Sequence, residues 1–288
     1  MQLRPSVRLY TFALVTVTFL AAAPAATAQS QPQAQPQPQA QFQPKSVGDS
    51  SIGESYHVEG AVGFWFPSAD MQIASSSLGQ AATLIDFRND LGLQDSRFSE
   101  LHLTVRPAQR HKFRLQFIPI SYTQQATLKR NIVFNGQNYT INLPVNSSLD
   151  WKAWRFGYEF DFISRDRGFG GLVIDFKYTD VQASLSSPIR SDFAHAQAPI
   201  PAIGGIFRVY VVPNVSITGE ITGFSLPDTL FKDTSGHYVD VDFYGTVNFT
   251  NNVGAQIGYR SFDVGYVASR DTGNFVLKGF YLGIVARY

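Results

Sequence analysis

Histidines and closely spaced carboxylates are the groups in this 288-residue chain whose types and spacing could do chemistry. His57 stands two positions from Glu59, and His102 two positions from Glu100. In an extended chain that spacing puts both members of a pair on one face, the layout of a general base and its orienting carboxylate. No nucleophile is identifiable beside them from spacing, so the reading is a pair of histidines within a hydrogen-bonded ion network. His111 opens a strand, whereas His195 and His237 fall in loops, where a lone imidazole is solvated. Asp240 with Asp242, and Glu159 with Asp161, are further one-face pairs that could hold Ca²⁺ or act in hydrolysis. Arg155, Arg208 and Arg260 are available to neutralise them, and ion pairing is the expectation. The chain has no cysteine, which excludes disulfides, Cys-type zinc sites and a Cys-linked lipid anchor. It also lacks a phosphate loop, a dinucleotide fingerprint and a metal-ligand cluster, so no cofactor is expected.

The elements that must position these groups are strands. Residues 151–162 set Trp154, Phe156, Tyr158, Phe160 and Phe162 on one face against Trp151, Arg155, Glu159 and Asp161 on the other. Residues 172–179, 203–211, 215–224 and 239–249 alternate in the same way, apolar against charged or polar. Residues 56–66 form a first strand that stops at Pro67. On this reading His57 and His102 point inward, and the face of residues 111–122 switches near Pro119, where a bulge is expected. A short strand is expected at 83–87, and Asn135-Gly136 predicts a hairpin rising above the membrane. Residues 184–198 read as a polar loop. The tally is about ten long strands, with eight or twelve open, because those short pieces can be counted differently. Short connections at Pro107, Arg165, Pro213 and Asn251 alternate with long ones around Ser75, Gly136, Arg190, Thr234 and Arg270.

Acids and bases in nearly equal number on one face would be ruinous in a dry core, whereas a wet lumen lets them pair. The expected architecture is therefore all-β, a transmembrane antiparallel up-and-down barrel. Its predicted lumen charge network is Glu59, Glu100, His102, Arg114, Arg155, Glu159, Asp161, Asp175, Lys177, Arg208, Glu220, Asp240, Asp242 and Arg260. Arg155, Arg208 and Arg260 are expected to interlock with Glu159, Glu220 and Asp242.

Residues 1–28 have the three parts of a secretory signal: Arg4 and Arg8, an apolar stretch, and Ala26-Thr27-Ala28 before Gln29. Residues 29–55 begin with a Gln/Pro/Ala run that cannot bury a core and read as a periplasmic linker. Residues 56–288 would then form the barrel. Losing Arg4 and Arg8 with the signal would take the net charge from +1 to −1. No basic field remains for nucleic acid.

The last strand carries a resemblance. Phe280, Leu282, Ile284 and Tyr288 alternate on one face and the sequence ends on an aromatic residue, which resembles the final strand of bacterial outer-membrane β-barrels. The resemblance implies that these four residues form the assembly signal, with the barrel assembly machinery, periplasmic chaperones and outer-membrane lipids as partners. Residues 89–122, followed by Ala126 to Arg130 and Ile132 to Phe134, look like a group of outer-membrane barrels of unassigned function. More broadly the chain resembles the small barrels of the OmpA type. The His-x-Ser motif of the barrel lipid A deacylases is absent. Three functions stay open: a structural barrel displaying loops or a narrow charged pore, a general porin-like channel, and a lipid-modifying enzyme. About ten strands enclose an interior filled mainly by side chains, which favours the first.

Overall fold

The computed structural model describes residues 51–76, 82–189, 191–227, 234–268 and 271–288. The signal-peptide expectation and most of the linker lie outside the described residues. The described chain contains strands β1 (Val58–Ser75), β2 (Ile85–Asp86), β3 (Phe98–Ala108), β4 (His111–Thr127), β5 (Ile132–Phe134), β6 (Gln137–Tyr139), β7 (Pro144–Arg165), β8 (Gly168–Ser186), β9 (Ser191–Val212), β10 (Val215–Leu226), β11 (Thr234–Asn248), β12 (Val253–Ala268) and β13 (Asp271–Arg287).

Ten long strands pair antiparallel in chain order, and β13 closes on β1 from Glu59–Arg287 to Ser75–Asp271. Closure leaves no edge, which is what an apolar surround requires of backbone N–H and C=O groups. Register shifts occur between Val105 and Ala108, between Asp161 and Ile163, and between Val215 and Ser216, all beside the tight turns at one end. We call this the turn end and the opposite one the loop end.

The wall changes character along its length while the alternation keeps its phase. On the half of β7 nearer the turn end, Trp154, Phe156, Tyr158, Phe160 and Phe162 face outward, with Phe156 and Phe162 half exposed, while Arg155, Glu159 and Asp161 face inward and are buried. On the half nearer the loop end, Asn146, Ser148, Asp150 and Lys152 face outward, while Val145, Leu149 and Trp151 are buried inside. The lower half is apolar outside and polar inside; the upper half is the reverse. An exposed apolar band belongs in hydrocarbon, whereas a polar skin over an apolar core belongs in water. The barrel thus continues beyond its lipid-facing band as a water-exposed, dry-cored cylinder.

This inversion corrects several expectations. There is no bulge at Pro119: β4 pairs with β7 without a shift from His111–Phe160 to Thr127–Pro144. Only the surroundings change, so Lys112, Arg114 and Gln116 give way inside to Ile118, Ile120 and Tyr122. The first strand does not stop at Pro67 but runs to Ser75. Its pairing with β3 ends at Trp65–Phe98, so Pro67 sits where β3 no longer continues the ladder on that side, and a missing N–H is tolerated there. Residues 184–198 are not a loop. Residues 184–186 and 191–198 are the upper ends of β8 and β9, paired from Ser186–Ser191 downward, and they lost the apolar-outward signature because water covers them. For the same reason the connections near Arg190 and Arg270 are not long, since β9 begins at Ser191 and β13 at Asp271.

The loop end is capped from within. β2 pairs with β1 through Ile73–Ile85, and β5 pairs with β6 across Asn135 (φ 46°) and Gly136 (φ 76°). Two successive left-handed residues are the requirement of a type I′ turn, which Asn-Gly meets at low strain. This hairpin does not stand free. Ile132, Phe134 and Tyr139 are buried among Met71, Ile73 and Leu185 of the wall. The Tyr139 hydroxyl donates to the Leu185 carbonyl at 2.9 Å, and Asn135 N–H to the Ser75 carbonyl at 3.0 Å. Outside this apolar plug, Arg130 Nε and a terminal nitrogen bond the two Asp90 oxygens at 2.7 and 2.5 Å, tying the two excursions together.

Candidate functional site

Among the described residues, ionisable side chains converge in the polar half of the lumen. Its lattice is a single chain in which base and acid alternate around the wall. Lys112 contacts Glu159 at 2.7 Å and Asp161 at 3.0 Å; Arg114 contacts Glu159 at 3.2 Å and Glu220 at 2.8 Å. Arg155 also bonds Glu220 and reaches Asp175 at 2.8 Å. Lys177 links Asp175 at 3.7 Å to Asp240 at 3.0 Å, and Arg260 links Asp240 at 2.7 Å to Glu100 at 3.7 Å. His102 ends the chain, 2.9 Å from Glu100 and 3.1 Å from the Gln116 amide. Removing ions from water is costly, and the cost is offset here because each ion of this chain lies within 3.7 Å of an opposite charge, most of them of two.

Period-two alternation explains how the chain delivers these groups. Arg155, Glu159 and Asp161 share the inward face of β7, Asp175 and Lys177 that of β8, and Asp240 and Asp242 that of β11. Small inward residues make room between them. A Cβ at Gly157 would lie 2.5 Å from an Asp175 oxygen, and one at Gly171 would lie 2.7 Å from an Asp161 oxygen.

The turn end is closed by the segment before β1. The Ile52 N–H donates to the Pro213 carbonyl and the Asn248 amide to the Ile52 carbonyl, both at 2.7 Å. Glu54 enters the mouth, 3.5 Å from Arg106 and 3.2 Å from Arg208, and accepts the Tyr210 hydroxyl at 2.9 Å. Arg287 bonds Glu59 at 2.5 Å and Asn248 at 2.7 Å, and the buried Tyr56 ring lies against Arg106 and Arg287. Small cavities remain among the described residues of the lumen. One, of about 50 Å³, is bordered by Glu100, His102, Gln116, Asp242, Gln256 and Tyr281; another, of about 30 Å³, lies near Trp65, Trp151 and Lys177. Each holds at most a water or two.

The structure places all fourteen of the residues assigned to the lumen on its inner face, but with different partners for some. Arg208 pairs with Glu54, and Arg260, although opposite Asp242 in register, turns to Asp240. Among the described residues Asp242 has no base in ion-pair contact; it accepts the Tyr281 hydroxyl at 3.0 Å. His57 does not face inward: it precedes β1, where alternation has not begun, and is exposed. Lys112, Arg106 and Arg287 were missing from the assigned network, although each lies in phase with inward neighbours on its strand. Glu54 carries no such signal, because it lies outside any strand. Phe280, Leu282 and Ile284 face outward and are more than half exposed, and Tyr288 is 87% exposed.

The remaining imidazoles lie on the outer wall. His195 pairs with Asp180 at 2.7 Å, His237 with Asp263 at 3.2 Å, and His111 with the Tyr158 hydroxyl at 2.7 Å. His195 and His237 are in strands β9 and β11 rather than in loops.

No protein-family model and no curated protein matches the sequence. Among solved structures, the outer membrane protease OmpT from Escherichia coli superposes with a TM-score of 0.54 at 8% identity, over 83% of this chain and 98% of that one. Ail of Yersinia pestis, an attachment invasion locus protein, gives 0.35 at 9% identity over 79% and 99%. The toluene transporter TodX of Pseudomonas putida gives 0.33 at 7% identity over 84% and 96%. The likeness to OmpT is one of fold, and this chain is a closed ten-stranded antiparallel barrel of the outer-membrane type.

Proposed function

We propose that the protein is an outer-membrane barrel with a sealed lumen, which serves as a structural, surface-displaying element rather than as a general channel. The observation that carries this reading is the filling of the lumen from end to end: a strap at Glu54, a continuous ion lattice, then an apolar plug from Trp151 to Phe134. The apolar outer band sets the lower half in lipid, and the polar upper half with its tied excursions projects into water. The lattice contributes rigidity, since each ion holds its neighbour on another strand.

Single-channel recording of the refolded protein in planar bilayers tests the reading. The expected record has no sustained conductance, only small flickering steps. Neutralising Arg155, Arg208 and Arg260 together leaves carboxylates unpaired, admits water, and should raise conductance with a cation preference. A large, steady conductance in the unmodified protein would refute the sealed lumen and favour a porin-like channel.

A further inference from the structure

Among the described residues, the outer wall carries its lysines and arginines on one side. In β8 to β12 these residue types are Lys177, Arg208 and Arg260, and all three are buried in the lumen. Lys152 of β7, Arg97 just before β3 and Lys278 of β13 are exposed on the outside instead. By register Lys152 lies beside Pro119 and Lys278 beside Ser68, while Arg97 adjoins the Trp65–Phe98 pair that ends the β1–β3 ladder. The three thus stand along neighbouring strands in the order β7, β4, β3, β1, β13. They mark the level at which the wall passes from apolar to polar: the next outward residues toward the turn end are Trp154 below Lys152 and Phe280 below Lys278, and the Arg97 guanidinium lies 5.0 Å over the Phe64 ring. Among the described residues none of the three is in an ion pair. Asp95, Asp150 and Asp180 nearby are engaged by Arg88, Ser121 and His195, which leaves Asp70, the next outward residue above Ser68, as the remaining acid of this arc. Directly below, the apolar wall is hollowed. A groove of about 590 Å³ runs among Phe64, Leu101, Phe117, Leu282 and Ile284, and Ser99 and Pro119, neighbours of Arg97 and Lys152, border it.

We propose that this face is a docking site for a phosphate-bearing lipid of the leaflet on the loop-end side, with an acyl chain in the groove and the phosphate on Arg97, flanked by Lys152 and Lys278. Bases at the boundary of the hydrocarbon attract anionic headgroups, and a guanidinium offers a phosphate two parallel donors. The groove selects a lipid over a free anion, because only a lipid has a chain to fill it. The inference rests on the reading that the lower half of the barrel lies in lipid.

Trp154 reports on the site, since it stacks on Phe117 of the groove at 4.2 Å, whereas the other two tryptophans, Trp65 and Trp151, are buried inside. The full chain, refolded into phosphatidylcholine vesicles, is titrated with phosphatidic acid or with phosphatidylcholine, each brominated on its acyl chains, and the quenching of tryptophan fluorescence is compared. Phosphatidic acid should quench at a mole fraction lower by about fivefold, the order of preference that one surface base gives. Combining K152Q, R97Q and K278Q should bring the two lipids to parity, whereas R167Q, at the turn end, should keep the preference. Equal quenching by the two lipids in the parent would overturn the proposal, as would a preference that survives the triple substitution or one that free inorganic phosphate removes. Failure of the underlying reading looks different, because a barrel whose lower half lies outside lipid would be quenched by neither lipid. If the triple variant does not fold, R97Q alone decides: it should lose most of the preference, and an undiminished one overturns the site.

Discussion

At the scale of single residues, most of the cost of a substitution lies in what it leaves behind. Glu220 is buried between Arg114 and Arg155, so Glu220→Gln takes one carboxylate from each of two buried guanidinium groups, leaving them Glu159 and Asp175, and should cost about 3–5 kcal/mol, the range for breaking a buried ion pair from one side. Reversible urea unfolding in detergent measures it, and a loss near zero would mean that water reaches these groups. On the outer wall, Phe156→Arg brings a charge to the lipid face and should cost about 2–4 kcal/mol, read as impaired heat-modifiable gel migration. The acid lock of the cap gives a pH dependence with a definite sign. Hydrogen bonds from Arg130 hold the Asp90 carboxyl below its usual range. Its stabilising contribution is therefore complete above the ordinary carboxylate pKa and is lost as pH falls through the lowered one. The cap should loosen in strong acid, seen as a change in Trp151 fluorescence, and Asp90→Asn should look loosened at neutral pH already.

At the scale of elements, cap and barrel are separate stabilising units with different solvents. The β5–β6 hairpin inserts Phe134 into the apolar plug, and Phe134→Ala should cost about 3–5 kcal/mol of cap stability. Because the strands below are held by their own ladders and by the ion lattice, the loss should stay local. Hydrogen exchange should speed up across residues 128–142 and remain slow in β10 to β13. Exchange that accelerates throughout would show one cooperative unit. The strap at the turn end is the weaker closure, since a few backbone bonds and the carboxylate of Glu54 hold it.

At the scale of the molecule, two bands of opposite polarity set the depth of the barrel in lipid. The outer wall is apolar from the tight turns to about mid-height, and polar from there to the cap. We propose that the turn end faces the periplasm and the cap faces outside. Because the chain has no cysteine, labelling has a clean background. Cys at Asn135, Ser191 or Ser235 should react with an impermeant thiol reagent on whole cells, whereas Cys at Gln109 or Asn252 should not. Equal labelling of the two sets would reverse or abolish this orientation.

Alternation is local, so the sequence by itself determined the strands, their inward and outward faces in the lipid-facing half, the tight turns at Pro213 and Arg165, and which ionisable groups share the interior. Closure of β13 on β1 could be expected from the same pattern, because edges are not tolerated in lipid. What alternation reports, however, is the contrast between two surroundings, and it inverts where lipid gives way to water. Hence the upper parts of β1, β8 and β9 read as loops, and the swap on β4 read as a bulge. Partner choice was not legible either. Arg260 faces both Asp240 and Glu100 only because strands distant in sequence close into one cylinder, and Asp242 is left over for the same reason. The tertiary structure alone decided that Glu54 enters the mouth and that the Asn135-Gly136 hairpin folds inward, since each follows from space that the closed wall leaves to fill.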